Sequence, residues 1–564
     1  MKKAAYTGIL VALAIGACAL CLPPSANHPS PSALSVIVQA ESAEAAAAAV
    51  QDAGGAVTHE LGIINSVGAR MSQSQAEHLE TSHPRLRMFA DSKLEVSGGG
   101  KGTTRTVGKD TYFPTLVGAD RLHALGIRGK GVGVAIVDTQ IEPTNNSAIG
   151  WDTEGNFRIT GGVNLACGYD PVTGIQHGSC PPHGHGNHVA SILLSSAKTK
   201  DGKYNGIAPD ASLIRVTAFG GDGQATYANV IESLDRLVAM KDEDNIRVIN
   251  LSFSAPVRSF YYDDPLNQAV MRAWQAGIVV VASAGNLGPG PMTVGVPGNN
   301  PYIITVGAMS DNYTPDDALD DKLASFSSAG PTHAGFVKPD LVAPGGHLLA
   351  EITKDSKLAL EHPEFFDGKF YFTMSGTSQA AAVVSGVVAL MLQADPTLTP
   401  DEVKYRLMAS AHRAESDGGD IGYSVFQQGA GLVNAYDAIY APADGFANGG
   451  LDIARDLSGE EHYAGPVCQG MNGGYYVRGL QGQGYDWDGS YGSSSAILWS
   501  DAILWSDAIL WSDAILWSDA ILWSDAILWS DAILWSDAIL WSDAILWSDT
   551  LTEPASINVW VPQE

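Results

Sequence analysis

Five near-continuous apolar runs punctuate the middle of the chain: GVGVAIVDT, ASLIRVTAF, IRVINLSFS, GIVVVASAGN and YIITVGAMS. Each is short, rich in β-branched residues and bounded by turn formers, the pattern of a strand buried on both faces. Between several of them lie stretches whose apolar positions recur at helical spacing, such as YANVIESLDRLVAM and NQAVMRAWQAG. That alternation predicts an α/β unit over residues 109–440, a parallel twisted sheet with helices on both faces.

A smaller unit precedes it, over residues 33–98. SVIVQ alternates like a strand, AEAAAAAVQDA has helical character, and Gly54-Gly55 stops it. AVTHELGIINSVGARM supplies two more strands, QSQAEHLETS a second helix and RLRMFADSKLEV a last strand. The order βαββαβ is that of the small split α/β plait. SGGGKGTTRTVG then reads as a flexible, protease-accessible linker.

Beyond Ala441 the pattern loosens. Residues 441–495, rich in Gly, Asp, Tyr and Gln, are expected to be a linker. Nine tandem copies of AILWSD fill residues 496–549, and a tail of residues 550–564 follows. In a strand, an even repeat keeps Ala, Leu and Ser on one face and Ile, Trp and Asp on the other. In a helix each copy would turn about 240° and scatter the tryptophans around the axis. A β-stack or solenoid is therefore expected, the alternative being an expanded tract with no selected function.

Composition narrows the partners. A chain of 564 residues exceeds one ordinary core, and 45% apolar residues is globular usage. The formal charge of −29, from 61 acidic against 32 basic residues, disfavours nucleic acid as a partner. Lys2 and Lys3 precede an apolar run that Pro23-Pro24 ends, so residues 1–26 are read as a secretory signal, with an uncleaved anchor as the alternative. Ile15-Gly16-Ala17-Cys18 also resembles a bacterial lipobox; membrane attachment follows only if Cys18 is lipidated. A secreted or extracytoplasmic location, including the cell surface, is expected. There Cys167 and Cys180 either close a short disulfide loop or stay as buried thiols, and Cys468 is left over.

Four short motifs carry chemistry, each ending an apolar strand or opening a helix, where α/β sheets place active sites. They are VDTQ around Asp138, HGHGNHVAS around His185, ASAGN ending at Asn286, and MSGTSQAAA around Ser378. A serine hydroxyl needs an imidazole to take its proton, and the imidazole needs a carboxylate to hold its tautomer. A helix N-terminus and a side-chain amide can hold the oxyanion that forms.

The order Asp138, His185, Asn286, Ser378, with DT, HGxxHVA, AGN and GTSxAA around them, closely resembles the subtilases, the subtilisin-like serine proteases. NGIAPDASLIRV, VINLSFS, KPDLVAPGG and GAGLVNAYDA extend the resemblance over about Phe113 to Tyr440. The resemblance implies a secreted serine endopeptidase, with protein or peptide substrates. In it Asp138 orients, His185 is general base and then acid, Ser378 is the nucleophile and Asn286 the oxyanion donor. It also implies that Ser252, Phe253 and Ser254 pair with substrate, while Ala282, Ser283, Ala284 and Gly285 form the other wall of the specificity pocket. The first unit is similar to the family's inhibitory propeptide, which implies a zymogen inhibited intramolecularly. No cofactor is required; structural calcium accords with the family, and no ligands are assigned to it.

Several positions depart from the family's pattern. Gln140 follows Asp-Thr where glycine is usual, Asn187 and Ser191 alter the histidine motif, Ser254 replaces a pocket-edge glycine, and Gln379 follows the nucleophile. These leave the four chemical groups intact and put substrate preference in question. A competing reading takes Cys180, His183, His185 and His188 as zinc ligands, but it lacks an HExxH helix and leaves Asp138, Asn286 and Ser378 unexplained. A second functional class is a surface or adhesive protein in which the repeats matter and the protease domain is weak or inactive.

Overall fold

The computed structural model describes residues 34–96, 112–143, 147–170, 175–176, 180–314, 320–416, 422–441, 444–480, 482, 484–491 and 497–500. The expected signal, the linker after Val96 and eight of the nine hexapeptide copies lie outside these residues.

The five apolar runs form the centre of one mixed, mostly parallel sheet. In spatial order they are Ile304–Ser310, Val279–Ser283, Ile246–Leu251, Gly133–Thr139 and Ser212–Phe219, every neighbouring pair parallel. Ile159–Asn164 adds a parallel edge strand, and Leu341–Pro344 and Lys322–Leu323 pair with the opposite edge. Tyr227–Ala239 and Pro265–Gln275 are helices, as their spacing requires. Asp264 caps the second, accepting from the amides of Leu266 and Asn267, and Pro265 occupies the first turn. The helices His185–Leu194 and Thr377–Ala394 both start near the carboxyl ends of the sheet strands. The second is apolar on every side and is buried from Thr377 to Leu392.

The small first unit forms β1 (Leu34–Gln39), α1 (Ala43–Asp52), β2 (Ala56–Leu61), β3 (Ser66–Met71), α2 (Gln73–Ser82) and β4 (Arg87–Ala90), in sheet order β2-β3-β1-β4. Alternation along β1 separates two jobs. Leu34, Val36 and Val38 join a core with α1 and α2, whereas Ile37 joins the core of the large domain. The sheet thus lies on the helices Tyr227–Ala239 and Pro265–Gln275. His59 Nε2 is 3.1 Å from Asn229 Oδ1, and Gln39 Nε2 donates to Gln268 Oε1 at 2.9 Å.

Two sequence expectations need correction. RLRMFADSKLEV is two strands: β4 belongs to the small sheet, and β5 (Lys93–Val96) leaves it. The break falls at Asp91, whose carboxylate accepts from Ser35 Oγ and from the Ala228 amide at a helix N-terminus. The expected linker 441–495 is also partly folded, with a helix Ile453–Ser458 and a three-stranded sheet of Val467–Gln469, Tyr475–Val477 and Asp486–Trp487. Buried Asp456 ties it down, accepting from Tyr261 Oη at 2.6 Å and Tyr302 Oη at 3.0 Å, while Trp487 packs on Phe426. Composition hides this, because the partners of Asp456 lie 195 and 154 residues upstream. In the repeat array, Ile497–Ser500 of the first copy is a strand, paired antiparallel with Arg413–Ser416.

A buried charge cluster braces the strand Ile304–Ser310. Lys338 Nζ donates to Ile303 O at 2.8 Å and to Asp340 Oδ2 at 2.6 Å, and Lys404 Nζ lies 3.2 Å from Asp340 Oδ1. Burial pushes Lys338 down to about 7. Two ammonium groups share one carboxylate, so Asp340→Asn strands both. We expect it to cost about 3–5 kcal/mol of stability, read from the urea unfolding midpoint.

Candidate active site

Asp138 is the penultimate residue of the strand Gly133–Thr139, with its carboxylate fully buried. Burying that charge demands donors, and the local chain supplies them. Oδ1 accepts from the Thr139 amide at 2.7 Å and from Thr139 Oγ1 at 3.1 Å. His185 Nδ1 completes the set, 2.8 Å from Oδ1 and 2.9 Å from Oδ2. A carboxylate facing Nδ1 holds the proton there and leaves Nε2 as the basic nitrogen.

The histidine helix is fastened to the aspartate loop at two further points. The Gly186 amide donates to Thr139 Oγ1 at 2.9 Å, and a Cβ at Gly186 would collide with Thr139 O. Asn187 clasps the backbone of Glu142, its Oδ1 accepting the amide and its Nδ2 donating to the carbonyl, both at 3.0 Å. Ser191 Oγ accepts from the Glu351 amide at 3.0 Å. The two departures in this motif are therefore structural ties.

The other histidines point elsewhere. His188 Nε2 donates to Leu348 O and Phe372 O at 3.2 and 3.1 Å, and the His183 ring centre lies 6.5 Å from that of His185. Cys180 is bonded to Cys167, their Cα atoms 4.9 Å apart. The zinc reading loses two of its ligands, Cys180 and His188, to these bonds. Among the described residues no three His, Cys, Asp or Glu side chains gather as a metal set.

Ser378 sits in the first turn of Thr377–Ala394, where backbone amides have no intrahelical acceptor. Its hydroxyl donates to Ser252 O at 2.9 Å, and Ser252 Oγ donates back to Ser378 O at 2.9 Å. Asn250 and Ser385 continue this buried network at 2.8 and 2.9 Å. Gln379, the next residue, has Nε2 3.4 Å from His188 Nδ1, so the first turns of the two helices meet.

Asn286 follows the strand Val279–Ser283. Its Oδ1 accepts from the Thr377 amide at 3.0 Å and from Thr377 Oγ1 at 2.9 Å. Because the amide N–H can only donate, the orientation of the side chain is fixed. Nδ2 is then buried with no partner among the described residues. A buried donor without a partner costs about 1–3 kcal/mol, and next to a hydroxyl at a helix N-terminus it suits a developing oxyanion. Thr377 and Thr139 set these orientations; both stood inside quoted motifs, and only the partners' geometry exposes their part.

The expected substrate walls are also adjacent. Ser283 Oγ donates to Phe253 O at 2.9 Å, and the Gly285 amide to Thr377 Oγ1 at 3.2 Å. Ala282 and Ala284 are buried in the same segment. β5 lies between Gln224–Thr226 and Phe253–Ser254, antiparallel to both, with Val96 opposite Phe253 and Glu95 opposite Ser254.

Comparison with known proteins bears on the family and the fold. The subtilase family profile matches residues 129–431. The serine protease AprX of Bacillus subtilis is 37% identical over 319 residues, which cover 56% of this chain and 67% of AprX. Subtilisin E of Bacillus subtilis is 30% identical over 329 residues, covering 58% and 70% of the two chains. The crystal structure of fervidolysin from Fervidobacterium pennivorans, described as a keratinolytic enzyme related to subtilisin, superposes with a TM-score of 0.55 at 21% identity. That match covers 74% of this chain and 62% of fervidolysin, and it bears on the fold alone.

Burial pushes both His183 and His188 down to about 3. An unfolded histidine titrates near 6.5, so below that pH the unfolded chain binds protons that the native state refuses. Stability is therefore full above about pH 6.5 and falls as pH drops toward 3, by about 2 kcal/mol per histidine at pH 5. His188→Gln is expected to remove its share of that loss between pH 7.5 and 5. Urea unfolding in a Ser378→Ala background, which avoids self-digestion, measures it.

Proposed function

This chain belongs to the subtilase family of serine proteases, and on that premise we propose that Asp138, His185 and Ser378 are its catalytic triad and Asn286 its oxyanion donor. The observation that carries the assignment is Asn286 Nδ2, a buried donor oriented by Thr377 and without an acceptor among the described residues, at the start of the helix that carries Ser378. Ser378 Oγ attacks the peptide carbonyl while its proton passes to His185 Nε2. Asp138 stabilises the imidazolium through Nδ1 without taking the proton. Asn286 Nδ2 and the amides at the start of Thr377–Ala394 receive the oxyanion. His185 then protonates the leaving amine, and water, deprotonated by the same nitrogen, hydrolyses the acyl-enzyme.

The first unit is proposed to be an inhibitory prosegment. Its support is β5, an extended strand inserted between two strands of the peptidase domain, one of them Phe253–Ser254. A peptide adding to both edges blocks the same crevice that an extended substrate would use. Export from the cytoplasm is proposed on the apolar N-terminal run and on the Cys167–Cys180 disulfide, a bond that persists in oxidising compartments.

A fluorophosphonate probe is expected to label the mature wild-type protein and to leave Ser378→Ala unlabelled; persistent labelling of that variant would overturn the nucleophile assignment. Ser378→Ala expressed alone should also retain its prosegment. Normal removal of the prosegment in that variant would show that maturation is not the chain's own work.

A further inference from the structure

We infer that Ser254 restricts the residue immediately before the cleaved bond to a small side chain: alanine, serine or glycine. The inference rests on the proposed protease reading and adds a substrate class to it.

The attacked carbonyl must lie between Ser378 Oγ and Asn286 Nδ2. The side chain of that residue then enters the gap between Ser252–Ser254 on one side and Ala284–Gly285 on the other. Two backbone ties close the far end of the gap. Gly295 N donates to Ala284 O at 3.1 Å, and Ala255 and Val296 exchange bonds at 2.8 Å. Gly285 and Gly295, having no side chains, would leave the space open. Ser254 fills it instead. A Cβ on Gly295 would collide with Ser254 Oγ, and one on Gly285 would lie 3.0 Å from both Ser254 Oγ and Ser328 Oγ. Both serines are buried. What remains is short and lined by two hydroxyls, a poor fit for an aromatic or long aliphatic side chain, which would cover polar groups without bonding them.

The composition of the chain's own linker accords with this: the residues after β5 run Ser97-Gly98-Gly99-Gly100, so a cut by the chain's own site within that run would leave serine or glycine before the bond.

The test uses the mature protein. Peptide anilides identical except for the residue before the bond should show kcat/KM at least tenfold higher for alanine than for phenylalanine. Ser254→Gly should raise the phenylalanine-to-alanine ratio at least tenfold. Equal or greater activity on phenylalanine, or a ratio unmoved by Ser254→Gly, would each overturn the inference. Fluorophosphonate labelling of the wild-type protein separates the two readings. A labelled enzyme that prefers phenylalanine removes only the role of Ser254, whereas an unlabelled protein removes the protease reading itself.

Discussion

A fully buried carboxylate must be matched by donors, and the matching of Asp138 organises the region around it. Thr139 supplies two bonds from the adjacent residue, and His185 supplies the third from forty-seven residues away. Once those donors are committed, Thr139 Oγ1 has an acceptor position left for Gly186, and the histidine helix is locked to the strand end. The Asn187–Glu142 clasp adds a second lock on the same two segments. The imidazole is thus held in one tautomer and one orientation by the requirement that the carboxylate not be left unpaired.

The helix Thr377–Ala394 is the matching constraint on the other side. It is apolar all round and buried along nearly its whole length, so it cannot shift without opening the core. Its first turn is tied by Ser252, Asn250 and Ser385 on one flank and by Asn286 on the other. A rigid helix start thereby sets both the serine hydroxyl and the Asn286 amide, which has no acceptor among the described residues. The neighbouring crevice is occupied by β5, a segment whose sheet partners belong to the large domain although its sequence belongs to the small one.

Much of this was legible in the residues. The five central strands and the two amphipathic helices fell where their periodicities lay, because burial on one face or on both leaves a local signature. Asp138, His185, Asn286 and Ser378 could be picked out because each stands in a short motif at a strand end or a helix start. Other features were hidden for a physical reason. The strand from Arg85 to Val96 reads as continuous, and only the docking of Asp91 at the Ala228 amide shows why it breaks. The glycine-rich segment after Ala441 looks like a linker until Asp456 is seen between Tyr261 and Tyr302.

The sequence by itself determined the order of elements, the set of chemical groups and their place at the ends of strands and the starts of helices, all of which depend on neighbours a few residues apart. The tertiary structure decided which histidine of three faces a carboxylate, which way the Asn286 amide turns, and where the Ser254 hydroxyl rests. Those outcomes depend on hydrogen bonds and close packing between segments tens to hundreds of residues apart, and no local pattern records such partners.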